Sequence, residues 1–171
     1  MISCALSDSR VLIGYGGSLF SSPYMELFRV ESSPRIARVH RIHVPEECKW
    51  FSATCSDDGS DTLVAMSYPF TDKSVRVHRL RGDRLEVLAR IILKRPHKLL
   101  WLADRLLVAD FDKEKKSHAV IEFEVSDTRL ENRRELIATS ENIYVKSWIS
   151  VNDGVAIFDD KFKDILHYSF A

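Results

Sequence analysis

Leu63-Val64-Ala65-Met66-Ser67-Tyr68, followed after a loop by Val75-Arg76-Val77-His78-Arg79-Leu80, is the stretch whose reading decides the fold. The first run is almost continuously apolar, as in a strand buried on both faces, whereas the second alternates strictly, as a half-buried strand does. Residues 69–74 between them form a loop, and Gly82-Asp83 after the second run is a two-residue hairpin signal, because such turns require positive φ angles. Upstream, Lys49-Trp50-Phe51-Ser52-Ala53-Thr54-Cys55 alternates and runs into the turn-forming Asp57-Asp58-Gly59-Ser60-Asp61. Residues 85–93 supply a further strand downstream, so this region predicts four antiparallel strands joined by short turns.

The same grammar recurs along the chain. Asp8, Asp61, Asp104 and Asp153 each open a short apolar run, at separations of 53, 43 and 49 positions. Arg84-Leu85-Glu86 returns as Arg129-Leu130-Glu131, and Trp50, Trp101 and Trp148 occupy the leading strand of the second, third and fourth units, where large side chains are expected to fill the core. The units run approximately over residues 1–45, 46–95, 96–140 and 141–171, within one β-repeat domain. The fourth holds three strand-like segments, with none corresponding to the outer strand. No stretch sustains the three-and-four apolar spacing of an amphipathic helix over about eleven residues. The chain therefore reads as all-β.

Four-stranded units of this length, each with an apolar second strand and an alternating third, resemble the blades of a β-propeller of the WD-repeat or kelch-like kind. The resemblance spans nearly the whole chain. The Trp-Asp and Gly-His dipeptides of such repeats do not occur, and Gly-Gly follows a second strand only at Gly16-Gly17, so no particular family is named. The resemblance implies a radial array of about four antiparallel blades, the last lacking its outer strand, which binds partners at one end or in a central channel. Three arrangements fit: a closed four-bladed ring, a half propeller that forms a homodimer through an open blade edge, or a fragment of a longer protein.

Of the 171 residues, 45% are hydrophobic, enough to build a core. Twenty-five Lys plus Arg balance twenty-five Asp plus Glu, so no global field draws the chain to nucleic acid or to an anionic membrane. No apolar run reaches the roughly 18 residues of a membrane span, and the first residues lack the basic and apolar regions of a secretory signal. Cys4, Cys48 and Cys55 fit neither a disulfide framework nor a paired-cysteine metal site. The expectation from these features is an intracellular protein, of cytoplasm or nucleus.

Motifs of catalysis are scarce. Gly14-Tyr15-Gly16-Gly17-Ser18 lacks the Lys that a phosphate loop needs and reads as a glycine-rich hairpin loop; Asp57-Asp58-Gly59-Ser60-Asp61 lacks the order of a calcium loop. The recurring Asp ahead of each second strand is expected to accept backbone hydrogen bonds in the turn. His40, His43, His78, His97, His118 and His167 are scattered, and His40 and His43 fall on opposite faces of a strand. Arg35, Arg38 and Arg41 at intervals of three are expected on alternating faces. The leading expectation is a non-catalytic, cofactor-free interaction scaffold that binds a protein or peptide through Tyr68, Phe70, Phe111 and Phe158 at the ends of second strands. One alternative is a propeller hydrolase or lyase in which carboxylates such as Asp110, Asp112, Asp159 and Asp160 hold a metal at the channel mouth; another, suggested by the missing outer strand, is a truncated propeller fragment without independent function.

Overall fold

The computed structural model describes residues 2–7, 10–15, 23–30, 35–55, 62–102, 104–125, 129–139, 145–151, 154–159 and 165–169. These form fifteen strands in four sheets. The first sheet holds β1 (Ile2–Ser7), β2 (Arg10–Tyr15), β3 (Tyr24–Val30) and β4 (Ile36–His43). The second holds β5 (Trp50–Cys55), β6 (Thr62–Tyr68), β7 (Ser74–Arg81) and β8 (Arg84–Ile92). The third is β9 (Pro96–Leu102), β10 (Arg105–Asp112), β11 (Ser117–Val125) and β12 (Leu130–Thr139), and the fourth is β13 (Val145–Val151), β14 (Gly154–Asp159) and β15 (Ile165–Ser169). Every strand pairs antiparallel with its neighbour in the chain, so each sheet is a meander.

Packing explains the apolar second strands. Side chains alternate between faces along a strand. On β6, Val64, Met66 and Tyr68 enter a core shared with Leu12, Met25, Leu27 and Ile42 of the first sheet. The intervening Leu63 and Ala65 enter a second core with Leu99, Trp101, Leu106, Val108 and Phe123 of the third sheet. The same division recurs on β10: Leu106 and Val108 face the second sheet, while Leu107 and Ala109 join Trp148, Val155 and Ile157 in a third core. A strand sandwiched between two neighbouring sheets needs apolar residues at every position, which is the pattern of both β6 and β10.

The leading strands of the first three sheets, β1, β5 and β9, lie side by side, whereas the fourth strands β4, β8 and β12 barely approach one another. The sheets therefore fan apart outward. Between the second and third sheets the fan is pinned by polar contacts: the Trp101 amide donates to Ser52 Oγ at 3.2 Å, its indole N–H donates to the Ser52 carbonyl at 3.1 Å, and Ser67 Oγ donates to the Pro96 carbonyl at 2.6 Å. A buried indole N–H and buried hydroxyls are thereby satisfied.

Turn chemistry also repeats. Lys73 and Lys116, with φ of 54° and 52°, each precede the serine that opens a third strand, Ser74 and Ser117. Left-handed backbone at a residue with a Cβ costs about 1 kcal/mol, so its recurrence marks a shared turn. Gly82, φ 61°, fills the hairpin position that the sequence predicts. Gly14 has a different reason: a Cβ there would lie 1.9 Å from the Phe51 ring, which packs against the bare backbone of β2.

Two local expectations are corrected. Arg38 and Arg41 do not alternate between faces; both reach Glu26 Oε1, at 3.0 and 3.3 Å. The reason is a bulge: Leu27 pairs with His40 and Phe28 with Arg38, so Val39 is an extra residue and shifts the face of everything beyond it. The Asp104 carboxylate is 81% exposed, and it is the Asp104 backbone carbonyl that takes the Val125 amide, at 3.4 Å. Asp8, Asp61 and Asp153 lie outside the described residues.

Candidate functional site

The ends of the sheets differ. At one, here the hairpin end, strands one and two and strands three and four turn into each other. At the other, the linker end, strand two turns into strand three and the chain crosses to the next sheet. A cleft of about 160 Å³ opens at the linker end where the second and third sheets meet, lined by Trp50, Arg95, His97, Phe111 and His118.

Each lining residue is placed by a local device. Trp50 begins β5. Arg95 lies in the linker from β8 to β9, which is fastened by Asp110: the carboxylate accepts the Lys94 amide at 3.1 Å and the Arg95 amide at 2.6 Å. The Phe111 amide returns to the Arg95 carbonyl at 3.2 Å, and the Leu93 amide donates to the Lys73 carbonyl at 2.8 Å. His97 is the extra residue of a bulge, because Ala109 pairs with Lys98 and Asp110 with Pro96. Bulges re-aim side chains, and this one releases His97 from the alternation of β9. Phe111 and His118 are direct partners on β10 and β11.

The rings form a contiguous set. His97 and His118 meet edge to face with centroids 5.4 Å apart, Phe111 lies 4.6 Å from His118, and Trp50 meets His97 edge-on at 6.3 Å. Both imidazoles are buried. Burial first, and then the neighbouring His118, push His97 down to about 4 from the ordinary imidazole value of 6.5. At neutral pH His97 is therefore an uncharged group, able to donate through one ring nitrogen and accept through the other. The Arg95 guanidinium stacks 4.9 Å over the exposed Phe70 ring at the rim.

The loop that carries Phe70 is held by Asp72. Its carboxylate accepts the Ser74 amide at 3.1 Å, the Ser74 hydroxyl and Arg76 at 2.5 Å each, and Arg90 at 3.0 Å. Burial pushes the Asp72 carboxyl up, but the hydrogen bonds from Ser74 and Arg76, with the Arg76 charge, outweigh it and hold the group below the usual range. Cys48 is inert nearby: burial pushes its thiol up to about 12, and it donates to the Trp50 carbonyl at 3.5 Å.

Of the aromatic residues singled out in the sequence, Phe111 lines this cleft and Phe70 stands at its rim. Tyr68 is 2% exposed, packed in the first core beneath Arg76, and presents no surface to a partner. Phe158 lies on β14 opposite Ile165, and its side chain is outside the described residues. Trp101 and Trp148 are core residues, whereas Trp50 turns to the cleft. Asp110 and Asp112 do not hold themselves open as metal ligands: Asp110 fastens the linker, and Asp112 Oδ1 accepts the amides of Glu114 and Lys115 at 2.9 and 3.2 Å. The Asp159 side chain and Asp160 lie outside the described residues. Among the described residues, no three His, Cys, Asp or Glu side chains converge as a metal site, and no helix is long and apolar enough to cross a membrane.

The sequence reading missed His97, His118 and Arg95. A signal was present: His97 and His118 sit within or at the head of apolar strands, where an imidazole interrupts the pattern.

Fold and cleft together define an all-β protein of antiparallel sheets with an imidazole and guanidinium site between two of them. No family model and no curated protein matches the chain. Among solved structures it is similar to a Bacteroides uniformis protein that carries a provisional 6-phosphogluconolactonase designation, with a TM-score of 0.61 and 11% identity over 96% of this chain. The match takes in 49% of that protein, so the chain spans about half its length. This similarity concerns the fold. The expectation of a non-catalytic interaction scaffold is corrected here: the similar structure is designated an enzyme, and the described cleft is lined by two imidazoles and a guanidinium, not by aromatics alone.

Proposed function

We propose that the chain forms an arc of a β-propeller and carries a hydrolytic site for a small anionic ring ester of the lactone type. The propeller reading is supported by the meander order of every sheet, the adjacent leading strands and the outward fanning of the fourth strands. The observation that carries the site is the convergence of His97, His118, Arg95 and Trp50 on one cleft from three separate segments of the chain.

The chemistry follows from those groups. A volume of about 160 Å³ is below the roughly 300 Å³ at which drug-sized pockets begin, so it suits one compact ring with its substituent directed outward. Trp50 offers that ring a flat apolar face, and Arg95 at the rim offers an anionic substituent its fork of donors. Lactone hydrolysis adds water to the carbonyl carbon, breaks the ring C–O bond and protonates the departing oxygen. Neutral His97 hydrogen-bonds the carbonyl oxygen as charge develops on it, and His118 orients the water and passes the proton on. The 6-phosphogluconolactonase designation of the similar structure agrees with a phosphorylated sugar lactone as the first substrate to try.

The test is base uptake in a pH-stat with 6-phosphogluconolactone and with the unphosphorylated lactone, corrected for spontaneous opening. The expected result is accelerated opening of the phosphorylated lactone, with kcat/KM lowered about 100-fold by His118→Gln. Arg95→Ala is expected to raise KM about tenfold with little change in kcat. Absence of acceleration with either lactone would remove the hydrolase reading.

A further inference from the structure

The first sheet is covered on one side. There its Leu12, Met25, Leu27 and Ile42 enter the core shared with β6, and at the hairpin end the same seam opens into a cleft of about 200 Å³ lined by Arg10, Arg29, His40, Thr62 and Leu80. The other side carries Val11, Ile13 and Tyr15 of β2, and among the described residues no sheet packs on it. We propose that this side docks a second copy of the chain, whose fourth sheet seats against it; the proposal rests on the arc of sheets and not on the lactone chemistry.

The open side repeats the residues of a covered one. Val11, Ile13 and Tyr15 stand 53 positions before Val64, Met66 and Tyr68, the same separation as Asp8 from Asp61. On β6 those three are buried, because the first sheet lies over them. On β2 the same places are half-buried. A second strand that is apolar on both sides belongs between two sheets, as β6 and β10 do, and β2 has that composition with a sheet on one side.

Register supplies the rest of the face. Cross-strand partners share a side, so Val11 lies with Phe28 and Arg38, Ile13 with Glu26 and Arg41, and Tyr15 with Tyr24. Tyr15 and Tyr24 stack with ring centroids 4.7 Å apart, and the Arg41 guanidinium lies 4.0 Å over the Tyr24 ring. Glu26, itself buried, anchors both guanidiniums, so the face is assembled before any partner arrives. Tyrosine and arginine around an apolar centre are what protein interfaces are enriched in.

The polarity of the seams selects the occupant. In each seam the earlier sheet offers one side of its second strand and the later sheet the opposite side: Leu63 and Ala65 of β6 meet Leu106 and Val108 of β10, and Leu107 and Ala109 of β10 meet Val155 and Ile157 of β14. The open side of β2 is of the later-sheet kind, so its complement is a side that faces a following sheet. On β14, Val155 and Ile157 turn to the third sheet, which leaves Ala156 on a side of that complementary kind. β1 adjoins β5 and β13 adjoins β9, and among the described strands β1 and β13 are not close neighbours, so the chain does not make this contact with itself. Two copies related by a twofold axis make it twice and close two arcs of four sheets into one ring. Zero formal net charge sets no long-range repulsion against that pairing.

Light scattering and sedimentation of the full chain over a range of concentrations test this. The expected species has twice the chain's 19.7 kDa. Ile13→Glu should give the single-chain mass with an unchanged far-ultraviolet circular dichroism spectrum, and the milder Ile13→Ala should raise the dissociation constant about tenfold. Ile92→Glu, at an exposed position on β8, should leave the pair intact. The proposal is overturned by a single-chain mass at every concentration, by a mass that keeps growing with concentration, or by a pair that both Ile13 variants leave intact. If the chain is single, urea unfolding of Ile13→Glu separates the loss of the second copy from the loss of the arc. An unchanged midpoint means that the side is open, as in an arc, whereas a lowered midpoint means that another sheet of the same chain already covers it.

Discussion

At the linker end, a bulge in β9 turns His97 into a cleft with a second imidazole and three aromatic or guanidinium neighbours; at the hairpin end, a bulge in β4 precedes His40, which borders a cleft with two arginines. The device is common to both, an extra residue that frees one position from strict alternation. The surroundings differ. His97 is enclosed by rings and backbone, and its charged form is suppressed. The hairpin-end cleft collects positive charge on a face that is apolar elsewhere. One cleft gathers rings around an uncharged imidazole, the other gathers two guanidiniums and an imidazole, in adjacent seams of the same second sheet. What a seam between sheets can bind is thus set by its last row of side chains, while the rows beneath it hold the sheets together.

The comparison breaks most sharply if one seam is forced apart. Gly14→Ala places a Cβ against the Phe51 ring in the first seam and should lower stability by about 3 kcal/mol, read from urea unfolding. A smaller loss would mean that the first sheet slides freely over the second. Acid should act on the other seam. His97 titrates near 4 when folded and near 6.5 when unfolded, so the unfolded chain binds the extra proton as pH falls between those values. The His97 contribution is whole above pH 6.5, is lost as the pH drops toward 4 and levels off below it, and amounts to as much as about 3 kcal/mol. The decline should be smaller in His97→Gln, the remainder coming from His78, which burial also holds below the ordinary imidazole value, and equal pH profiles for the two proteins would contradict the neutral imidazole.

Weaker perturbations sharpen the contrast. Asp110→Ala leaves the Lys94 and Arg95 amides without their acceptor and should cost about 2 kcal/mol, together with a rise in KM for the lactone as Arg95 loses its anchorage. Hydrogen exchange at those two amides reads the loss directly. Smallest is Arg38→Gln, which removes one of the two guanidiniums that reach Glu26 and should cost about 0.5 kcal/mol in a thermal melt. No change in that variant would show that Arg41 alone satisfies Glu26.

The strands were legible because their cause is local. Leu63-Val64-Ala65-Met66-Ser67-Tyr68 could be read as buried on both faces from composition alone, and β6 (Thr62–Tyr68) is packed that way. The hairpin at Gly82 was legible from its conformational demand. Register irregularities were not. Nothing in Arg38-Val39-His40-Arg41 announces that Val39 is the supernumerary residue, because a bulge is settled by the strand opposite. Of the candidate site, only Phe111 was singled out in advance as a lining residue, and Tyr68 shows why aromatic residues near strand ends mislead. It sits beneath Arg76 in a core whose depth depends on the neighbouring sheet.

By itself the sequence determined that this chain is built of antiparallel strands joined by turns, since alternation and turn residues are properties of neighbours in the chain. Tertiary structure alone decided that Trp50, Arg95, His97, Phe111 and His118 share one cleft and that Arg10 and Arg29 stand opposite each other. Those encounters depend on strand register, on two bulges and on how each sheet seats against the next. The free energies that fix them come from contacts between distant residues, which no local pattern encodes.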